Sequence, residues 1–237
     1  MLSNLYQNII LKNPKSIFLL LIITLLSFGY FTKDFKLDAS SETLLIEGDP
    51  DLKYLREVNK RYGSKEFLIL TYSPKEGMIT ESSINNLLSL KYKIQSLDWV
   101  HNVVTLLDVP LLNNSEAPLQ DRLESFKTLK DKDVDKERGF QEILNSPVFR
   151  NFVISEDGNT SGIIVYIKKN NLKNIENKTT EEIEDFKNNL KKKNHENILQ
   201  IREVIKGYDN VGKIYLGGIP MIADDMMSFI KSDIIVF

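Results

Sequence analysis

Ser16 to Phe31, SIFLLLIITLLSFGYF, is free of charge and stands between Lys15 and Lys33. A charged side chain at the centre of a bilayer costs a few kcal/mol or more, so a clean apolar run with lysine flanks is a candidate membrane span. At about 1.5 Å per residue the run covers roughly 24 Å, a little short of a ~30 Å hydrocarbon core. Tyr30 and the lysine stems extend it into the interface. Asn13-Pro14 suits the start of the helix, with Asn as cap and Pro in the first turn. Two other readings compete: a buried core helix, because the run is short, and a cleaved signal peptide, because of its position and basic flank. Cleavage asks for small residues at the end of the run, where this chain has Gly29-Tyr30-Phe31-Thr32-Lys33.

The 237 residues leave room for one sizeable domain after such an anchor. A net charge of −2 gives no basic surface for nucleic acid, and the absence of Cys excludes disulfides, thiol catalysis and Cys-ligated zinc. His101 and His195 lie far apart in sequence and lack ligand spacing, so no metal site is expected. Lys12 and Lys15 before the run balance Lys33 and Lys36 after it, and charge alone leaves the orientation undecided.

Residues 1–15 form a lead-in with Leu5, Tyr6, Ile9 and Ile10 at helical spacing, and residues 16–32 the span. Beyond it, Phe35-Lys36-Leu37-Asp38 alternates like a short strand. Asp49-Pro50 opens a helix with Leu52, Leu55, Val58 and Tyr62 on one face, and Gly63 closes it. Phe67–Tyr72 reads as a buried strand. Thr80 caps the next helix, and Val103–Leu107 reads as another strand, so 67–107 is a β-α-β unit with parallel strands expected. Residues 111–147 are charged and mixed in sign, with helices expected around Leu119–Phe126 and Val134–Leu144; a solvated helical insertion is the expectation. Phe152–Ser155 and Ser161–Ile167 flank Asp157-Gly158, a hairpin signal. A polar helix over Glu181–Lys206 and a strand at Lys213–Leu216 complete a second β-α-β unit. The pattern predicts an α+β fold: a ferredoxin-like split β-α-β domain over 33–218. Residues 219–237 are expected to be a helix leading into the first turn of a second span. Asp224 and Asp225 are expected to cap and solvate its start.

The opening Asn13-Pro14-Lys15, the segment Phe35 to Leu45 with Leu37 and Asp38, and Gly217-Gly218-Ile219-Pro220 running on through Asp224-Asp225 bracket this domain. In this layout the chain resembles the N-terminal portion of transporters of the resistance-nodulation-division superfamily, particularly its MMPL-like and predicted lipid-exporter branch. The resemblance implies a cytoplasmic N-terminus, an inner-membrane location with residues 33–218 periplasmic, and a first span followed by a porter domain. It implies proton-driven export of hydrophobic or lipid-like molecules in concert with the remaining transmembrane spans of a full-length transporter. Members differ in oligomeric state, so homo-oligomer formation stays open. The family's intramembrane carboxylates lie on a later span, and Asp224 and Asp225 are not cast in that role.

The alternative is a single-pass, membrane-anchored extracytoplasmic binding or sensor module with no transport activity. No G-x-S-x-G, H-E-x-x-H or phosphate-loop pattern occurs, so no catalytic residue and no cofactor is assigned.

Overall fold

Described here from a computed structural model, the chain divides into two compact units, Met1–Asp38 and Ala39–Phe237. The structure describes residues 12–31, 48–62, 66–113, 118, 126–168 and 179–236. The lead-in before Lys12, the strand expected at Phe35–Asp38 with the positions Leu37 and Asp38, and the helix expected around Leu119–Phe126 lie outside the described residues, apart from Phe126.

The first unit is helix α1, Pro14–Phe31. The Ile17 amide donates to the Asn13 carbonyl, so Asn13 and Pro14 open the helix as the sequence reading expects. None of its residues is buried, and Phe18, Leu21, Leu25 and Phe28 are all more than half exposed. Thr24 donates its hydroxyl back to the Leu20 carbonyl, one turn earlier in the same helix. Among the described residues α1 is the one helix long and apolar enough to cross a membrane.

The second unit begins with α2, Pro50–Tyr62, where Asp49 accepts from the Asp51 amide as predicted. A four-stranded antiparallel sheet follows: β1 Phe67–Pro74, β2 Val100–Val104, β3 Ser161–Ile167 and β4 Gly212–Gly217, in spatial order β2-β3-β1-β4. Helix α3, Glu81–Gln95, joins β1 to β2. Helix α4, Lys136–Leu144, lies in the long β2-to-β3 connection, and α5, Thr180–Lys206, joins β3 to β4. Helix α6, Ile219–Val236, follows β4. Strands β1 and β2 do run the same way, but β3 stands between them, antiparallel to both.

Alternation along the strands decides which face is covered. Leu68, Leu70 and Tyr72 of β1 and Ile163 and Val165 of β3 are buried with Leu87, Leu90 and Ile94 of α3 and Ile198 and Ile201 of α5. The residues between them, Phe67 and Ile69, and Tyr215 of β4 face the other way and are exposed. Trp99 is buried as expected, and its indole N–H donates to Gln200 on α5. Of the apolar side predicted for α5, Ile183, Phe186 and Leu190 are only half-buried.

Three expectations need correction. The second strand ends at Val104 because Thr105 and Asp108 form a capping box around a short 3-10 turn, Leu106–Asp108; the T-x-x-D pattern outweighs the apolar run. The charged insertion is not simply solvated. Leu129, Val134, Phe140 and Ile143 belong to the core, with the charges confined to the positions between them. The segment Phe152–Ser155 is not a strand. Asn151 takes φ 61°, the chain turns, and only Ile154 bridges to Ser161. The Asp157-Gly158 turn itself is present, with Gly158 at φ 72° and the Asp157 carboxylate lowered to about 2 by the Ser155 hydroxyl and the Asn159 amide and side chain.

Candidate functional site at the junction of the fifth and sixth helices

The sequence singles out the corner after β4, and the structure gives that corner a steric reason. Gly218 has φ 118°, a conformation that L side chains rarely adopt. A Cβ placed there would stand 3.1 Å from the Phe67 carbonyl oxygen and 3.2 Å from the Leu68 Cα. Gly217 differs: the nearest atom to a Cβ is 3.8 Å away, an ordinary contact. The chain then enters α6, where Pro220 sits in the first turn and its missing N–H costs nothing. The Met221 and Ile222 amides donate to the Gly218 carbonyl.

Helix α6 is fastened to α5 by polar side chains. Asn194 donates to the Pro220 carbonyl at 2.9 Å. His195 Nδ1 lies 2.9 Å and 3.1 Å from the two Asp224 carboxylate oxygens. Arg202 donates through Nη2 to both oxygens of Asp225, at 2.8 and 2.9 Å. Asp224 is 8% exposed. These contacts correct the sequence expectation for Asp224 and Asp225. They do not solvate the start of α6; they face α5, because one helical turn of α5 offers an imidazole and another a guanidinium at matching height. His195 and Arg202, with Asn194, are the residues that sequence reasoning did not assign. Their signal was present as donors seven residues apart on one helix, two turns, opposite an acidic pair.

The opposite side of α6 is apolar and uncovered. Ile219, Phe229, Ile234 and Val236 are more than half exposed and Ile222 nearly so. The helix also carries Asp224, Asp225, Lys231 and Asp233, which keeps it outside the composition of a membrane span over the described residues. Asn13 and Pro14 belong to the first unit, where they open α1.

A second polar cluster lies at the end of β2. Asp108 receives Lys91 from α3, Lys130 at 2.9 Å, and the Thr105 amide at 2.8 Å. Burial pushes the Asp108 carboxyl up, but the two ammonium groups and the Thr105 amide outweigh it and hold the carboxyl below its ordinary range. Asp108 Oδ2 serves the 3-10 cap through Thr105 while Oδ1 takes the two lysines, so the cluster is a structural tie for the β2-to-α4 connection.

No group of three or more His, Cys, Asp or Glu side chains able to hold a metal occurs among the described residues. No protein-family model matches the chain, and no curated protein matches it.

Proposed function

We propose that this chain is the N-terminal part of a proton-driven membrane exporter of hydrophobic or lipid-like substrates, of the resistance-nodulation-division type. On this reading α1 anchors the chain in the membrane, and the α+β unit is an extracytoplasmic porter domain of ferredoxin-like, split β-α-β kind. The observation that carries it is α1 itself: a helix uncharged from Ser16 to Phe31, with no buried residue, favours an apolar surrounding. The strand order β2-β3-β1-β4 with helical crossovers α3 and α5 on one face supports the domain assignment. The Gly218 corner and the uncovered apolar side of α6 support a domain whose last helix continues toward membrane-embedded partners.

In such a machine the domain contributes movement rather than chemistry. Its helices rock as a body against the spans to which they are joined, and the fastening of α6 to α5 carries that movement along the chain. The test is export of a lipophilic fluorescent dye from efflux-deficient cells expressing the full-length protein, with and without an uncoupler. The reading predicts reduced dye retention that the uncoupler abolishes. Equal retention in expressing and control cells contradicts it.

A further inference from the structure

We propose that α2 is an interfacial helix that lies on an anionic lipid surface, with Tyr54, Leu55 and Tyr62 at the level of the headgroups. Among the described side chains of α2, Leu52 is the one that is buried. Tyr54 at 71%, Leu55 at 49% and Tyr62 at 74% stand exposed. Tyr54, Val58 and Tyr62 follow one another at four-residue steps, so with Leu55 they share one side of the helix. Asp51 stands in the first turn beside the Asp49 cap, where the helix dipole favours an acid, and the apolar side begins after it.

The chemistry of that side selects the occupant. A tyrosine has an apolar ring and a polar tip, and it concentrates where a bilayer meets water. Two tyrosines, a leucine and a valine on one side, with basic residues elsewhere on the same short helix, match an amphipathic helix that rests in a membrane surface. The charge agrees. The helix carries Lys53, Arg56, Lys60 and Arg61 against Asp51 and Glu57, a balance of +2 in a chain whose net charge is −2. Arg56 and Arg61 are exposed. Such a balance is drawn to anionic headgroups and fades with salt. Only residues 32–49 separate α2 from α1 in sequence, so a bilayer that holds α1 is presented to α2 at high effective concentration. The inference therefore rests on the anchoring role proposed for α1, and not on export.

The full chain, reconstituted into vesicles with one nitrobenzoxadiazole-labelled cysteine, tests this, since it has no cysteine of its own. Quenching by lipids brominated high on the acyl chain reads contact with the bilayer. At Leu55→Cys, quenching is expected in vesicles of phosphatidylcholine with phosphatidylglycerol, and is expected to fall in phosphatidylcholine alone. Glu57→Cys, on another side of the helix, is expected to stay unquenched. Arg56→Gln combined with Arg61→Gln is expected to lower the docked-to-free ratio read at Leu55→Cys by about tenfold or more, at about fivefold for each cation removed.

No quenching at Leu55→Cys, or equal quenching at Leu55→Cys and Glu57→Cys, overturns the interfacial helix. So does quenching that ignores both the phosphatidylglycerol and the two arginines. A blue shift of the Leu55→Cys label that grows with protein concentration in lipid-free detergent would assign the face to a second copy of the chain, and overturns it too. Leu25→Cys, at an exposed position of α1, reads the anchor separately. Quenching there without quenching at Leu55→Cys removes the interfacial helix and leaves the anchor standing. An unquenched Leu25→Cys contradicts the anchor whatever Leu55→Cys shows.

Discussion

Arg202 on α5 sends one guanidinium nitrogen to both carboxylate oxygens of Asp225 on α6, at 2.8 and 2.9 Å, two turns along from the His195–Asp224 contact. The two pairs together fix the rotation of α6 about its own axis. They turn its acidic pair inward and leave Ile219, Ile222 and Phe229 outside. Because both partners of the Arg202–Asp225 pair are partly exposed, a double-mutant cycle of Arg202→Ala with Asp225→Ala is expected to return a coupling of about 0.5 to 1 kcal/mol in denaturant unfolding. A coupling near zero would mean that the pair does not hold the helices together.

The two glycines of the corner are predicted to behave differently. Gly218→Ala forces an unfavourable φ and a Cβ against the Phe67 carbonyl, and is expected to cost about 1 to 3 kcal/mol. Gly217→Ala meets no close atom and is expected to stay within about 1 kcal/mol of wild type. Thermal or chemical denaturation of the two variants side by side checks the contrast.

The insertion between β2 and β3 is predicted to be part of the cooperative core. Ile143 is 1% exposed, and Ile143→Ala is expected to cost about 2 to 5 kcal/mol. The measurement is unfolding followed by the fluorescence of Trp99, which lies in the same buried cluster. If the insertion were a solvated appendage, Ile143→Ala would leave the midpoint unchanged.

Much of this architecture was legible in the sequence. The Thr80 cap, the apolar spacing of Leu87, Leu90 and Ile94, and the Phe67–Tyr72 run are local signals, and the structure follows them. What was not legible depends on what lies opposite. Leu129 and Phe140 stand in a charged stretch, and only the arrival of the Asp157-Gly158 turn and the sheet makes their surroundings apolar; Gly158 itself would place a Cβ 3.1 Å from the Phe140 ring. Asp224 and Asp225 read as a solvent-facing pair because nothing in their own helix announces His195 and Arg202, more than 20 residues earlier. The Thr105–Asp108 spacing is present in the sequence, but it lies inside a run of five apolar and β-branched residues that reads as strand, and in the structure the box outweighs that run.

Asp108 carries a pH prediction. Its carboxyl titrates below the ordinary 3.8 in the folded chain. A folded-state value below the unfolded one means that ionised Asp108 stabilises the fold at pH above the unfolded value, and that this contribution is lost as pH falls through the folded value. Between pH 5 and pH 3, therefore, wild type is expected to lose more stability than Asp108→Asn, whose side chain does not titrate. Parallel losses in the two proteins would show that the Lys91 and Lys130 contacts do not favour the carboxylate.

In the proposed topology α1 spans a bilayer and the α+β unit is extracytoplasmic. Single cysteines at Ser3 and at the exposed Lys132 test it, since this chain has no cysteine of its own. In intact cells expressing the full-length protein, a membrane-impermeant maleimide is predicted to label Lys132→Cys, and to label Ser3→Cys only after the membrane is opened. Labelling of both sites, of neither, or of Ser3→Cys alone in intact cells contradicts the account.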